Sequence, residues 1–147
     1  MSSFSRNIHV LNRCASIYRA EHLTNSELGR KHHRYLFSVC RYPGISQEQL
    51  ARQIYINKSS VTRQLADLES RGYVERRQSE EDKRVMLVYP TEKAYEILPT
   101  LTSLTEEWEE TVTAALSPEE KELFLNMLKR VTKKAASLVD GQTLEGE

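Results

Sequence analysis

Apolar residues at Ile8, Val10, Leu11, Cys14, Ala15, Ile17 and Tyr18 recur mainly at spacings of three and four. This predicts an amphipathic helix from Ile8 to His22. Polar Thr24-Asn25-Ser26 breaks it. A second helix, Arg30 to Arg41, carries Tyr35, Leu36, Phe37, Val39 and Cys40 and stops at Pro43-Gly44. Ser46 followed three residues later by Gln49 is a capping-box pattern and starts a short helix ending near Gln53. After the apolar bridge Ile54-Tyr55-Ile56, Asn57 is an N-cap for a helix from Lys58 to Ser70. Its inward stripe is Val61, Leu65 and Leu68, and Gly72 is its C-terminal stop.

The period then changes. Tyr73-Val74-Glu75-Arg76-Arg77 and Val85-Met86-Leu87-Val88-Tyr89 read as strands flanking the polar loop Gln78 to Arg84, a hairpin with a long tip. Pro90 ends the second strand and Thr91 caps a long helix to about Ala115, with Leu98, Leu101, Leu104, Trp108 and Val112 along one side. Pro99 is expected to kink or locally break that helix, because it lacks an amide proton and clashes with the preceding turn. Ser117-Pro118-Glu119-Glu120 starts a final amphipathic helix bearing Leu123, Phe124, Met127, Leu128, Val131 and Leu138. The tail from Asp140 to Glu147 reads as frayed. The fold class is mainly α with a small β-hairpin wing: a winged helix-turn-helix over 46–93, between N-terminal helices (1–45) and C-terminal helices (94–147).

The chain of 147 residues has a net charge of zero, but the charge is unevenly spread. Residues 1–45 carry seven Lys/Arg against two Asp/Glu (+5), residues 46–93 nine against eight (+1), and residues 94–147 five against eleven (−6). An acidic rear half does not oppose nucleic-acid binding, since the field at the contact face decides it. No apolar run reaches the roughly 20 residues of a membrane span. Met1-Ser2-Ser3-Phe4-Ser5-Arg6 lacks the apolar stretch of a signal peptide, so a cytoplasmic location and free Cys14 and Cys40 thiols are expected.

In a winged helix-turn-helix the second helix enters the major groove of double-stranded DNA with its first residues facing base edges. Here those residues are Lys58, Ser59, Ser60, Thr62 and Arg63, hydroxyls beside long cations, suited to phosphates and bases. In the hairpin tip Glu80-Glu81-Asp82-Lys83-Arg84, Asp82 is expected to hold Arg84 for entry into a minor groove, whose negative potential attracts arginine. The plainer alternative is a solvated charge run. Ser46, Asn57, Arg77 and Lys83 complete the candidate DNA-facing set.

Pro43-Gly44-Ile45-Ser46-Gln47-Glu48-Gln49-Leu50-Ala51, Asn57-Lys58-Ser59-Ser60-Val61-Thr62-Arg63-Gln64-Leu65, Leu68-Glu69-Ser70-Arg71-Gly72-Tyr73-Val74 and Glu81-Asp82-Lys83-Arg84 with Thr91-Glu92-Lys93-Ala94 resemble, in order and spacing, the MarR family of transcription regulators. Ala94 stands where many members have glycine. The resemblance implies a triangular homodimer in which N- and C-terminal helices interlock. Two winged units would then straddle a pseudo-palindromic operator as a repressor. It also implies release by a small aromatic or anionic effector. The candidate effector residues are Tyr18, His22, His32, His33, Tyr35 and Arg71, although Tyr35 also reads as core and the histidines as exposed or satisfied. Peroxide-sensing members carry a reactive cysteine in the first helix, a placement that Cys14 resembles; its position on the apolar stripe equally fits an inert hydrophobe.

Other classes fare worse. A winged helix used only for protein contacts would not require Lys58, Thr62, Arg63 and Arg84. The chain has no glycine-rich phosphate loop and no nucleophile–base set, so neither an enzyme nor a cofactor is expected. His32 and His33, adjacent on a helix, point about 100° apart and rarely chelate one metal ion.

Overall fold

The computed structural model describes residues 3–23 and 28–140. The expected break at Thr24-Asn25-Ser26 and the expected frayed tail after Asp140 lie outside the described residues. The elements in chain order are α1 (Ser3–His22), α2 (His32–Arg41), β1 (Ile45–Ser46), α3 (Gln47–Gln53), α4 (Lys58–Ser70), β2 (Val74–Gln78), β3 (Met86–Pro90), α5 (Glu92–Thr113) and α6 (Pro118–Asp140). The chain divides into two compact units, one ending at Trp108 and the other starting at Glu109.

The first unit is organised by a core of Tyr35, Leu36, Val39, Leu50, Val61, Leu65, Leu68, Val74, Val88 and Leu101, all essentially without solvent contact. The α4 stripe Val61, Leu65 and Leu68 is entirely buried, as its spacing predicts. The sheet has one strand more than the sequence suggests. β1, two residues long, pairs antiparallel with β3 (Ile45 opposite Val88), and β3 pairs with β2 (Arg76 opposite Val88), giving the order β1-β3-β2. Two residues are too few to show alternation; β1 exists because β3 offers it a free edge.

Helix ends follow local chemistry. The Ser46 hydroxyl accepts the Gln49 amide at 3.1 Å, and the Gln49 side chain accepts the Ser46 amide at 3.2 Å, the reciprocal capping box of α3. Asn57 caps α4 by accepting the Ser60 amide at 2.8 Å. Both helices close with the same pair of reverse hydrogen bonds. At α4, Tyr73 N–H donates to the Leu68 carbonyl and Gly72 N–H to that of Glu69, with Gly72 at φ 82°. At α3, Ile56 N–H donates to Ala51 and Tyr55 N–H to Arg52, and the left-handed position falls on Tyr55, at φ 56°. The bridge Ile54-Tyr55-Ile56 is therefore a turn that tucks two isoleucines against the core and leaves the tyrosine outside.

α1 starts at Ser3, five residues before the first apolar position that signals it. α5 runs uninterrupted through Pro99, against the expectation of a break. The missing amide would have met the carbonyl of Tyr95. Tyr95 itself is half exposed. In the second unit Ser117 and Glu120 form another reciprocal cap, and Lys121 pairs with Glu110 at 2.6 Å. α6 exposes Leu123, Phe124, Leu125, Met127 and Val131. α1 likewise exposes Phe4, Ile8, Val10 and Leu11.

Candidate nucleic-acid interface

With its core stripe facing inward, α4 turns the start of the helix outward. Lys58, Ser59, Thr62 and Arg63 are all exposed. Each is held by a neighbour. The Ser59 hydroxyl donates to Asn57 at 2.8 Å, that of Thr62 to the Lys58 carbonyl at 2.9 Å, and Arg63 Nη2 to Ser60 Oγ at 3.4 Å. Lys58 Nζ lies 3.1 Å from Glu48 Oε1 on α3, and hydrogen bonding to that ammonium lowers the pKa of the Glu48 carboxyl. Both side chains are well exposed, so the pair contributes little to stability. Glu48 is a near neighbour that sequence spacing does not reveal, because ten residues and a turn separate it from Lys58.

A groove brings Lys58 and Thr62 together with Ser46 of β1, Gln47 and Glu48 of α3, and Arg84 and Met86 at the tip end of the hairpin. Ser46 reaches it from a buried cap, so its hydroxyl is already committed. Gln47 binds the groove together: its amide donates to Thr62 Oγ1 at 3.3 Å, and its carbonyl oxygen accepts from Arg76 Nη1 at 3.4 Å. Arg76 is in turn gripped by Glu69, which accepts its backbone amide at 2.7 Å and its guanidinium at 3.1 Å. Those bonds, the backbone one first, hold the Glu69 carboxyl below its usual range. The recognition helix, α3 and the wing are thus tied into one polar frame beside the groove.

At the wing tip Asp82 takes Arg84 in a two-pronged grip. Oδ1 lies 3.0 Å from Nε and Oδ2 3.1 Å from Nη2, and Oδ1 also accepts the Arg84 amide at 3.0 Å. These bonds lower the Asp82 pKa. The guanidinium is oriented while its side chain stays 90% exposed. Lys83 is exposed beside it, its carbonyl accepting from Gln78. Arg77 is not in the groove. It pairs with Glu75 at 2.8 Å and lies over the Tyr89 ring at 4.7 Å.

The six candidate effector residues do not form one site. Tyr18 and His22 stack on each other at 3.9 Å near the end of α1, with Trp108 5.3 Å from Tyr18. Tyr35 is core. His32 is buried on the side of α2 facing α4, where its Nε2 meets Gln64 and Asp67; Arg71 holds the same Asp67 at 3.0 Å. His33 alone lines a cavity of about 210 Å³, and it does so with Arg19, Ala20, Leu23, Gly29, Arg30 and Leu101. Two nitrogens there, Arg19 Nε and His33 Nδ1, are buried without a hydrogen-bond partner among the described residues. Burial, then the nearby Arg19 and Arg34 charges, push the His33 pKa down to about 4. Arg19 and Arg30 were not apparent as candidates, because an isolated arginine on a helix or in a loop reads as solvated.

The Cys14 thiol is free and exposed on α1. Cys40 is half-buried, and burial raises its pKa. The described residues contain no cluster of His, Cys, Asp or Glu able to hold a metal ion. No described helix is long and apolar enough to cross a membrane.

This arrangement matches known proteins. Residues 28–86, from the cavity's edge to the first residue of β3, match the MarR family model. The chain carries a MarR-family domain. The family is one of DNA-binding transcriptional regulators, not of enzymes. A Bacillus subtilis protein described as the uncharacterized HTH-type transcriptional regulator YybA is 29% identical over 133 residues, 90% of this chain and 89% of that one. A MarR transcriptional regulator from Methanosarcina mazei superposes with TM-score 0.87 at 25% identity, covering 92% of this chain and 98% of that one. A mutant MarR from Escherichia coli, solved with operator DNA, superposes with TM-score 0.78 at 26% identity over 86% and 91% of the two chains. The MarR-family domain also contains the groove residues Lys58, Thr62 and Arg84.

Proposed function

We propose that this protein is a repressor that binds a pseudo-palindromic operator as a homodimer and leaves it when a small organic anion is bound. The observation that carries the DNA reading is the groove in which Lys58 and Thr62 of α4 and Arg84 of the wing face outward together. α4 enters the major groove, Lys58 and Arg63 meet phosphates or base edges, and Arg84, aimed by Asp82, enters the adjacent minor groove. The Escherichia coli relative solved with operator DNA supports this mode. A two-fold dimer sets two such helices about 34 Å apart, one turn of DNA. The apolar residues exposed on α1 and on α6 supply surface for the second copy.

The effector site is the Arg19–Arg30–His33 cavity. An anion there would meet one buried donor with no other partner, Arg19 Nε, and neighbouring cations that now repel one another. The cavity's volume lies below the roughly 300–1,000 Å³ of drug-sized sites, which favours a small carboxylate with one apolar side toward Leu23 and Leu101.

The DNA reading is tested with Arg84→Ala on a genomic fragment selected by the wild type. Affinity is expected to fall about tenfold, and the slope of log K against log salt to shrink by about one. The dimer is expected to stay intact. Unchanged affinity and slope would remove the wing from the interface.

A further inference from the structure

The cavity and the recognition helix are connected through one imidazole. His32 is buried, with a relative exposure of 3%. Its Nδ1 accepts the Gly29 backbone amide at 2.9 Å, so that nitrogen carries no proton. The proton therefore sits on Nε2, which is shared between Gln64 Oε1 and Asp67 Oδ2, each at 3.1 Å. Gly29 lines the cavity; Gln64 and Asp67 stand on α4, about one and two turns past Ser60. The ring has no slack on the Gly29 side: a methyl group built on Gly29 would lie 3.3 Å from it. Next to it in sequence, His33 points into the cavity.

We infer that His32 is the positioning residue through which occupancy of the Arg19–His33 cavity changes the setting of α4. The inference rests on the cavity taking an anion. A carboxylate drawn between Arg19, Arg30 and His33 pulls on the Gly29–Arg30 segment, and the Gly29 amide is the donor that holds the His32 ring. If that ring shifts or turns, the Nε2 proton loses its place between Gln64 and Asp67, and α4 loses its polar tie to α2. α4 then has two arrangements, tied and released, and DNA selects the tied one. By linkage, the factor by which anion weakens DNA binding equals the factor by which DNA weakens anion binding.

The test uses the full-length protein, benzoate as the probe anion and the selected genomic fragment. The quantity read is the ratio of DNA dissociation constants with and without saturating benzoate. It is expected to be roughly tenfold in the wild type. His32→Gln can place its amide donor near the Nε2 position but leaves no acceptor at the Nδ1 position for the Gly29 amide, and it is expected to bring the ratio below twofold. A merely structural role would alter stability or both affinities and leave the ratio alone. Gly29→Ala, which keeps every side chain and presses on the ring, is expected to lower the ratio as well, and it carries the test if the glutamine variant does not fold. A wild-type ratio in both variants overturns the relay. So does benzoate that binds, with Arg19→Met weakening it, yet leaves DNA affinity unchanged in the wild type; in that case the anion site stands alone. No benzoate binding to the wild type removes the anion site and the relay together.

Discussion

α4 and α6 are both amphipathic helices, yet their apolar faces meet different fates. Val61, Leu65 and Leu68 of α4 are fully covered by their own chain, whereas Leu123, Phe124, Met127 and Val131 of α6 remain between 38% and 60% exposed. An amphipathic pattern states that a face will be buried. It does not say whether the covering surface belongs to the same molecule. In α4 the cover is local, because the helix sits between α2, α3 and the wing. In α6 the apolar face stays exposed, and it is the surface that the proposed dimer would cover.

The sharpest way to break this comparison is to remove one covered residue. Leu65→Ala is expected to cost about 3 kcal/mol of folding free energy, measured by urea denaturation, because the buried site cannot collapse around the cavity. A loss under about 1 kcal/mol would mean that the two helices differ less than their exposures suggest. For α6 the counterpart is Met127→Asp: if the proposed dimer forms through this face, the variant is expected to sediment as monomers and to lose about a hundredfold in operator affinity, or roughly 2.7 kcal/mol. A dimer that survives the charge would place the association surface elsewhere.

A third expectation concerns pH. The folded His33 pKa, near 4, lies below its ordinary value of 6.5, so folding disfavours the proton. The stability this residue contributes is complete above pH 6.5 and is lost as pH falls toward 4. Between pH 7 and 5 the wild type should lose about 2 kcal/mol more than His33→Leu in parallel denaturation curves. Equal losses would mean that the imidazole is far less enclosed. The smallest effect is expected at the α3 turn. Tyr55→Gly should raise stability by about 0.5–1 kcal/mol, as a left-handed position is easier for glycine than for tyrosine. A loss would show that the exposed ring packs enough to offset its backbone cost.

Legibility in the sequence followed the range of the forces involved. The limits of α3 and α4 were visible because their caps are local: Ser46 with Gln49, Asn57 with Ser60, Gly72 at the close. β1 was not visible, since its reason for existing is β3, forty residues on. The polar frame of Gln47, Arg76 and Glu69 joins three elements and left no local trace. The effector candidates scattered for a similar reason. His32 and His33 are neighbours in sequence but face different partners, one toward Asp67 and the other toward Arg19, and only packing decides which faces which. Pro99 shows the opposite limit: a strong local rule gave way, and α5 continues through the proline.

The grip of Asp82 on Arg84 has a consequence for the thermodynamics of DNA recognition. A free arginine carries about 2 kcal/mol of rotamer entropy, which an interface must remove when it orders the side chain. At this wing tip much of that freedom is already gone before DNA arrives, while the guanidinium remains in water. Asp82→Ala would therefore show its effect on the proposed complex mainly as a less favourable binding entropy in calorimetry, even though it also removes a negative charge that phosphates would repel.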